Sequence, residues 1–182
     1  MTLSWPNHQL GLEEWEALPE DGELRLELVE GMLSVVPQPH SWRQRAGNCL
    51  THRTDDQLPR TLVALSEVEV VVADPPLTIR VPDMIVTNTA MFETNPPRFT
   101  AADVLLATEI LSDGTRRVDR IVTFAEAGIP QYWIPDPGSP TTLVAYVLVD
   151  GHYECSAEYT GTVTLDVAGH PVTLDLDALA TR

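Results

Sequence analysis

The chain has 182 residues, 43% of them hydrophobic and 21% charged, which fits one ordinary globular domain and excludes a low-complexity or fibrous chain. Its net charge of −16 opposes non-specific adhesion to nucleic acid, so such a partner must meet a local basic patch or bound cations. All eleven basic residues are arginine, so a site here lacks the tunable amine that lysine supplies.

No apolar run is long enough to span a bilayer, and Met1 to Leu12 has neither a basic start nor an apolar signal core, so the expected compartment is the cytoplasm. The two cysteines, Cys49 and Cys155, match no zinc or redox spacing and read as small apolar side chains.

A short helix is expected around Gly11 to Leu18, stopped by Pro19. Leu24, Leu26 and Leu28 then alternate with Arg25 and Glu27, the period of a strand. Glu30-Gly31 supplies a turn, Met32 to Val36 returns, and Pro37 and Pro39 end the second strand. Ser41 caps a helix running to about Leu58, with Trp42, Ala46, Cys49 and Leu50 on its buried face. His52, Arg43, Arg45 and Arg53 give that helix a basic character, which makes it the expected nucleic-acid-facing surface; His40, just before it, reads as a surface residue.

Leu62 to Ala73 reads as one long valine-rich strand. Asp74-Pro75-Pro76 turns the chain into a second strand, Thr78 to Thr87, in which Pro82 marks an edge or a bulge. Val104 to Leu111 is nearly continuous apolar sequence, the pattern of a strand covered on both faces. Thr115 to Ala127 reads as a helix, closed by Gly128 and kept from continuing by Pro130, and Gln131 to Ile134 as a further strand. Asp150-Gly151 is a hairpin signal between Leu143–Val149 and His152–Tyr159, and Ala168-Gly169 marks another turn. Together these elements predict an α/β (α+β) chain, a mixed sheet flanked by helices, with an N-terminal hairpin and a β-rich tail, over residues 1–182 as one domain.

Two carboxylates interrupt apolar strand sequence: Asp83 in Val81-Pro82-Asp83-Met84-Ile85-Val86, and Glu109 in Leu105-Leu106-Ala107-Thr108-Glu109-Ile110-Leu111. A buried, unpaired carboxylate costs several kcal/mol or takes up a proton, so each needs a partner. Arginine is one candidate. A divalent cation is another, because it would offset both charges at once and would activate water beside a phosphodiester. Taken singly, Asp83 also reads as a turn or bulge residue, and Glu109 as an edge carboxylate paired to arginine. Other chemistries find no support: there is no glycine-rich phosphate loop, no nucleophile elbow and no metal-binding histidine pair.

Three segments in consistent order carry a family resemblance: Leu26-Glu27-Leu28-Val29-Glu30-Gly31, Arg80-Val81-Pro82-Asp83, and Asp103 through Glu109-Ile110-Leu111-Ser112. The last continues through Arg116-Arg117-Val118-Asp119-Arg120 into Glu126-Ala127-Gly128-Ile129-Pro130-Gln131-Tyr132-Trp133. In these segments the chain resembles the Uma-two family, whose members have the restriction-endonuclease-like fold of the PD-(D/E)xK nucleases. The resemblance implies that Asp83 and Glu109 bind Mg2+ or Mn2+, with the Ile110 carbonyl as a further oxygen. It also implies that Glu27 approaches from the N-terminal hairpin, although periodicity alone would turn Glu27 to solvent. The family's lysine is absent. Counting back from Gly128 puts Arg120 in its place, and counting forward from Glu109 puts Thr123 there. Arginine stabilises phosphate charge through its fork of donors but is a poor proton shuttle.

The expected function is a divalent-metal-dependent endonuclease hydrolysing DNA phosphodiesters, with Asp83, Glu109, Glu27 and Arg120 as its catalytic groups and a homodimer as its assembly. The alternative is a protein that keeps the nuclease fold without the catalysis, serving as a binding, regulatory or structural module.

Overall fold

The computed structural model describes residues 6–19, 25–36, 40–111 and 117–180. Leu24, Pro37, Pro39 and Ser112 to Arg116, on which parts of the sequence reading fall, lie outside them. The chain opens on α1 (Leu12–Glu16) and a hairpin of β1 (Arg25–Val29) and β2 (Met32–Val36). The hairpin turn is Glu30-Gly31, at φ 50° and 79°, the paired positive values of a tight turn matched to right-twisted strands. A Cβ on Gly31 would stand 2.7 Å from Gln9 Cβ, so the close passage of the N-terminal segment also demands glycine.

After α2 (Ser41–Asp55), both stretches expected as single long strands prove to be broken. The first divides into β3 (Leu62–Ser66) and β4 (Val70–Ala73), interrupted at Glu67, whose φ of 54° takes the backbone out of the extended region. The second divides into β5 (Thr78–Arg80) and β6 (Met84–Asn88), with Val81-Pro82-Asp83 between them. Proline has no N–H to give a ladder, so pairing lapses there. The pieces then part: β4 and β5 join one sheet, β3 and β6 another.

α3 (Thr89–Phe92) and β7 (Phe99–Thr100) lead into β8 (Val104–Thr108), α4 (Arg117–Glu126) and β9 (Gln131–Asp136). The tail is two hairpins, β10 (Thr142–Val149) with β11 (His152–Thr160), and β12 (Thr162–Val167) with β13 (His170–Asp175), closed by α5 (Asp177–Ala180). Both expected tail turns occur, at Asp150-Gly151 and Ala168-Gly169, each with two positive φ values. The strand orders are β2-β1-β5-β4-β7 in a five-stranded sheet and β11-β10-β9-β8-β6-β3 in a six-stranded one. Only β8 and β9 in the larger sheet run parallel, joined by the crossover that contains α4.

Burial on both faces explains the apolar runs. Met84, Val86 and Leu106 face a core that includes Ala46 and Leu50 of α2, Trp133, and Leu165 and Val172 of the last hairpin. Ile85 and Ala107, one residue out of phase, face the opposite core with Phe124 of α4, Ile129 and Tyr132. A third core gathers Leu10, Trp15, Leu28, Leu77 and Ile79 around the smaller sheet. Trp42, expected in the core, is 47% exposed, whereas its neighbour Arg43 is buried. Cys49 and Cys155 are both free thiols. Among the described residues no helix is long and apolar enough to cross a membrane.

Gly31→Ala combines a strained φ with the contact at Gln9. It is expected to lower stability by more than ~1 kcal/mol, read as a shifted urea midpoint at unchanged slope.

Candidate functional site

The two strand breaks build the site. Because the chain leaves the smaller sheet after β5 and enters the larger one at β6, Asp83 falls at the crossing between sheets, 6% exposed. Glu109 is the first residue beyond β8, a correction to its expected place within the strand. Its N–H donates to the Trp133 carbonyl at 3.1 Å, so the middle of β9 holds it in register. Glu27 comes from the middle of β1, pointing inward at 1% exposure and not toward solvent as strand periodicity alone suggested. Arg120 comes from α4.

These four residues meet. Arg120 Nη2 donates to both Glu27 oxygens, at 3.0 and 2.9 Å, and its Nη1 donates to Glu109 Oε1. Of the two positions offered for the missing lysine, Arg120 therefore reaches the acids. The Thr123 hydroxyl instead donates back to the Asp119 carbonyl at 2.7 Å.

Three further arginines complete the centre. Arg43 Nη2 lies 2.8 Å from Asp83 Oδ2 and 3.8 Å from Glu109 Oε2. Arg80 Nη1 donates to Glu27 Oε2 at 3.1 Å, and the Val81 N–H donates to Glu27 Oε1 at 3.0 Å. Arg25 lies 3.8 Å from Asp83 Oδ1 and donates to Glu67 at 3.1 Å and to the Val81 carbonyl at 2.5 Å. Every carboxylate oxygen of Glu27, Asp83 and Glu109 thus faces at least one donor.

Asp83 and Glu109 do converge, and hard oxygens are what magnesium or manganese takes. Yet the space between them is held by Arg43 Nη2, and what Ile110 presents to Asp83 Oδ2 is its N–H, at 2.8 Å. Among the described residues no three acidic, histidine or cysteine side chains are grouped to hold an ion. As arranged, Asp83, Glu109 and Ile110 do not fit the expected divalent cation, because guanidinium groups already occupy the places it would need.

The electrostatics follow from burial. Desolvation pushes the Glu109 carboxyl up to about 8 against the lowering effect of Arg120, with Asp83 and Glu27 adding to the rise and Arg43 opposing it. For Arg120, burial works against the charged form, but Glu109 and Glu27 outweigh it and its pKa is raised.

Arg43 was expected on a nucleic-acid-facing surface and is instead turned inward by Asp83. Arg25 and Arg80 carried no role in the sequence reading. The available signal was the demand itself: three buried acids and no lysine leave only arginines to answer them, and Arg80 stands in apolar strand sequence three residues before Asp83. His40 and His52 are exposed, His52 lying 3.3 Å from Asp56.

Arg120→Ala strands Glu27 and Glu109 against each other and is expected to cost roughly 3–5 kcal/mol, measured by urea denaturation at neutral pH. Glu109 has its own pH signature. Its folded pKa is about 8 against an ordinary 4.5, so its contribution to stability is complete below 4.5 and is lost as pH rises through 8. The fall in urea midpoint between pH 5 and pH 9 is therefore expected to be smaller in Glu109→Gln than in the parent.

Comparison with known proteins follows the same lines. A crystal structure titled as a putative nuclease belonging to DUF820, from Anabaena variabilis, superposes with a TM-score of 0.72 at 22% identity, covering 93% of this chain and 97% of that one. The shared architecture is the restriction-endonuclease-like fold. A search of curated proteins found no match. Residues 12–178 match the Uma2 family, described as "Putative restriction endonuclease". The match covers nearly the whole of the described chain and runs through all four residues that meet at the centre: this protein belongs to the Uma2 (Uma-two) family.

Proposed function

We propose that this chain is an endonuclease-type protein directed at the phosphodiester backbone of DNA, with Glu27, Asp83, Glu109 and Arg120 as its working centre. One observation carries the reading. Acids from β1, from the crossing before β6 and from the end of β8 are far apart in sequence but converge at one buried guanidinium cluster. Such a cluster is matched to a phosphate, whose oxygens accept the paired donors of arginine.

In this reading Arg120 turns part of its donor fork from the carboxylates to the phosphate and stabilises the charge that grows on it during hydrolysis. Glu109, when ionised, would accept the proton of an attacking water and pass it to the leaving oxygen as the phosphorus–oxygen bond breaks. Glu27 holds Arg120 in position through both of its oxygens. A magnesium or manganese ion belongs to the expectation raised by the resemblance. The residues as arranged do not fit it.

A second reading, DNA binding without cleavage, is favoured by Arg43, which holds the space between Asp83 and Glu109. A homodimer is carried in either reading and is checked by light scattering.

The two readings separate in one assay. Supercoiled plasmid is incubated with the protein in magnesium, in manganese and in chelator, beside Asp83→Ala and Arg120→Ala. The endonuclease reading expects nicking that falls at least a hundredfold in Arg120→Ala, the order of a lost charge-stabilising donor. Gel-shift binding with no nicking in any condition selects the second reading, and neither binding nor nicking removes both.

A further inference from the structure

We propose that Arg43 is the resident cation of this centre: its guanidinium takes the bridging place of a divalent ion between Asp83 and Glu109, and the ligand that completes the folded site is a phosphodiester oxyanion. The inference deepens the function proposed above and rests on it for the nature of the ligand.

Position comes first. Arg43 lies in the first turn of α2, and its side chain is 10% exposed. Its Nη2 stands 2.8 Å from one acid and 3.8 Å from the other. An ion coordinated by both carboxylates would need the same volume, with oxygens at about 2.1 Å. The guanidinium and the ion exclude each other by space as well as by charge.

The charge count points the same way. Glu27, Asp83 and Glu109 supply at most three negative charges against the four positive ones of Arg25, Arg43, Arg80 and Arg120, and the fourth acid, Glu67 beside Arg25, is 49% exposed. The buried part of the centre therefore carries no excess of negative charge, although the chain has a net charge of −16. A divalent ion would add positive charge beside four guanidiniums, whereas a phosphodiester would bring a negative one to them.

The hydrogen-bond inventory is the third observation. Among the described residues, the buried side-chain nitrogens that lack a partner are Nε of Arg25, Arg43 and Arg80. All are donors, all belong to this centre, and what they lack is an acceptor. A metal ion supplies none, and an oxyanion supplies several.

There is also a way in. Arg43 and Asp83 line a narrow cleft of about 10 Å³ with Gln44, Gly47 and Asn48 of α2, Ser66 at the end of β3, and Glu67. Amide and hydroxyl groups at that entrance can donate to a single phosphate oxygen, beside a Glu67 carboxylate whose charge Arg25 offsets at 3.1 Å.

The test uses the full chain and manganese alone as the first probe. Calorimetric titration with MnCl2 is expected to show no binding to the parent up to millimolar concentration. Arg43→Met keeps the length of the stem and removes the charge. It is expected to create a manganese site, seen as binding heat and as a rise of several degrees in Tm with the ion, and Asp83→Asn added to it should abolish both. Manganese binding by the parent that disappears in Asp83→Asn overturns the proposal, as does a folded Arg43→Met that binds no manganese. Should Arg43→Met not fold, the comparison of parent with Asp83→Asn still decides.

The second probe is a short DNA duplex titrated in chelator. The parent is expected to bind it at least tenfold more tightly than Arg43→Met, and equal affinity overturns the assignment of the ligand. Failure of the underlying function looks different: the parent then binds neither manganese nor duplex and nicks no plasmid in any condition.

Discussion

The centre depends on the pairing of Arg120 with Glu27 and Glu109. Removing charges from water costs several kcal/mol per group, and that cost is offset only where geometry is close and every remaining donor and acceptor is used. Arg120 comes near to that condition, engaging both oxygens of one acid and one of the other. It also ties α4 to β1 and to the end of β8. An exchange for a shorter or singly pointed cation would satisfy one acid at the expense of the other.

The two interrupted strands turn that pairing into a site. Had residues 62–73 and 78–87 each run straight, Asp83 would lie within one sheet, on whichever face its register dictated. Instead the chain passes between sheets, once around Glu67 and once through Val81-Pro82-Asp83. The two passages are themselves tied by Arg25, which bonds to Glu67 and to the Val81 carbonyl. The acids thus come from both sheets and from the seam between them, and no single sheet could present them in this way.

Much of this was legible in the residues. Glycine-marked hairpins, the helix before Gly128 and the apolar runs followed from local chemistry, and Asp83 and Glu109 stood out as charges in apolar surroundings. The strand breaks were not legible, because Leu62–Ala73 and Thr78–Thr87 have β-forming composition throughout, and only sheet assignment, a long-range property, divides them. Arg43 was misjudged for a related reason. Helical periodicity sorts apolar from polar faces, and it put Trp42 inside and Arg43 out, whereas a buried carboxylate on another element reverses that preference. Glu27 illustrates the limit most clearly: alternation turned it outward, the family pattern turned it inward, and its bonds to Arg80, Arg120 and the Val81 amide explain why the family pattern holds.

Because these ionic contacts fasten two sheets together, engagement of any ligand is also a structural event. A guanidinium that swings toward an incoming group leaves an acid behind, and the seam is slackened unless the newcomer brings equivalent charge to the same spot. Neutral molecules of suitable shape would loosen the joint on entering, while charged ones would re-tie it. Any selectivity for anionic guests would in that sense be a by-product of how the two sheets are held to one another.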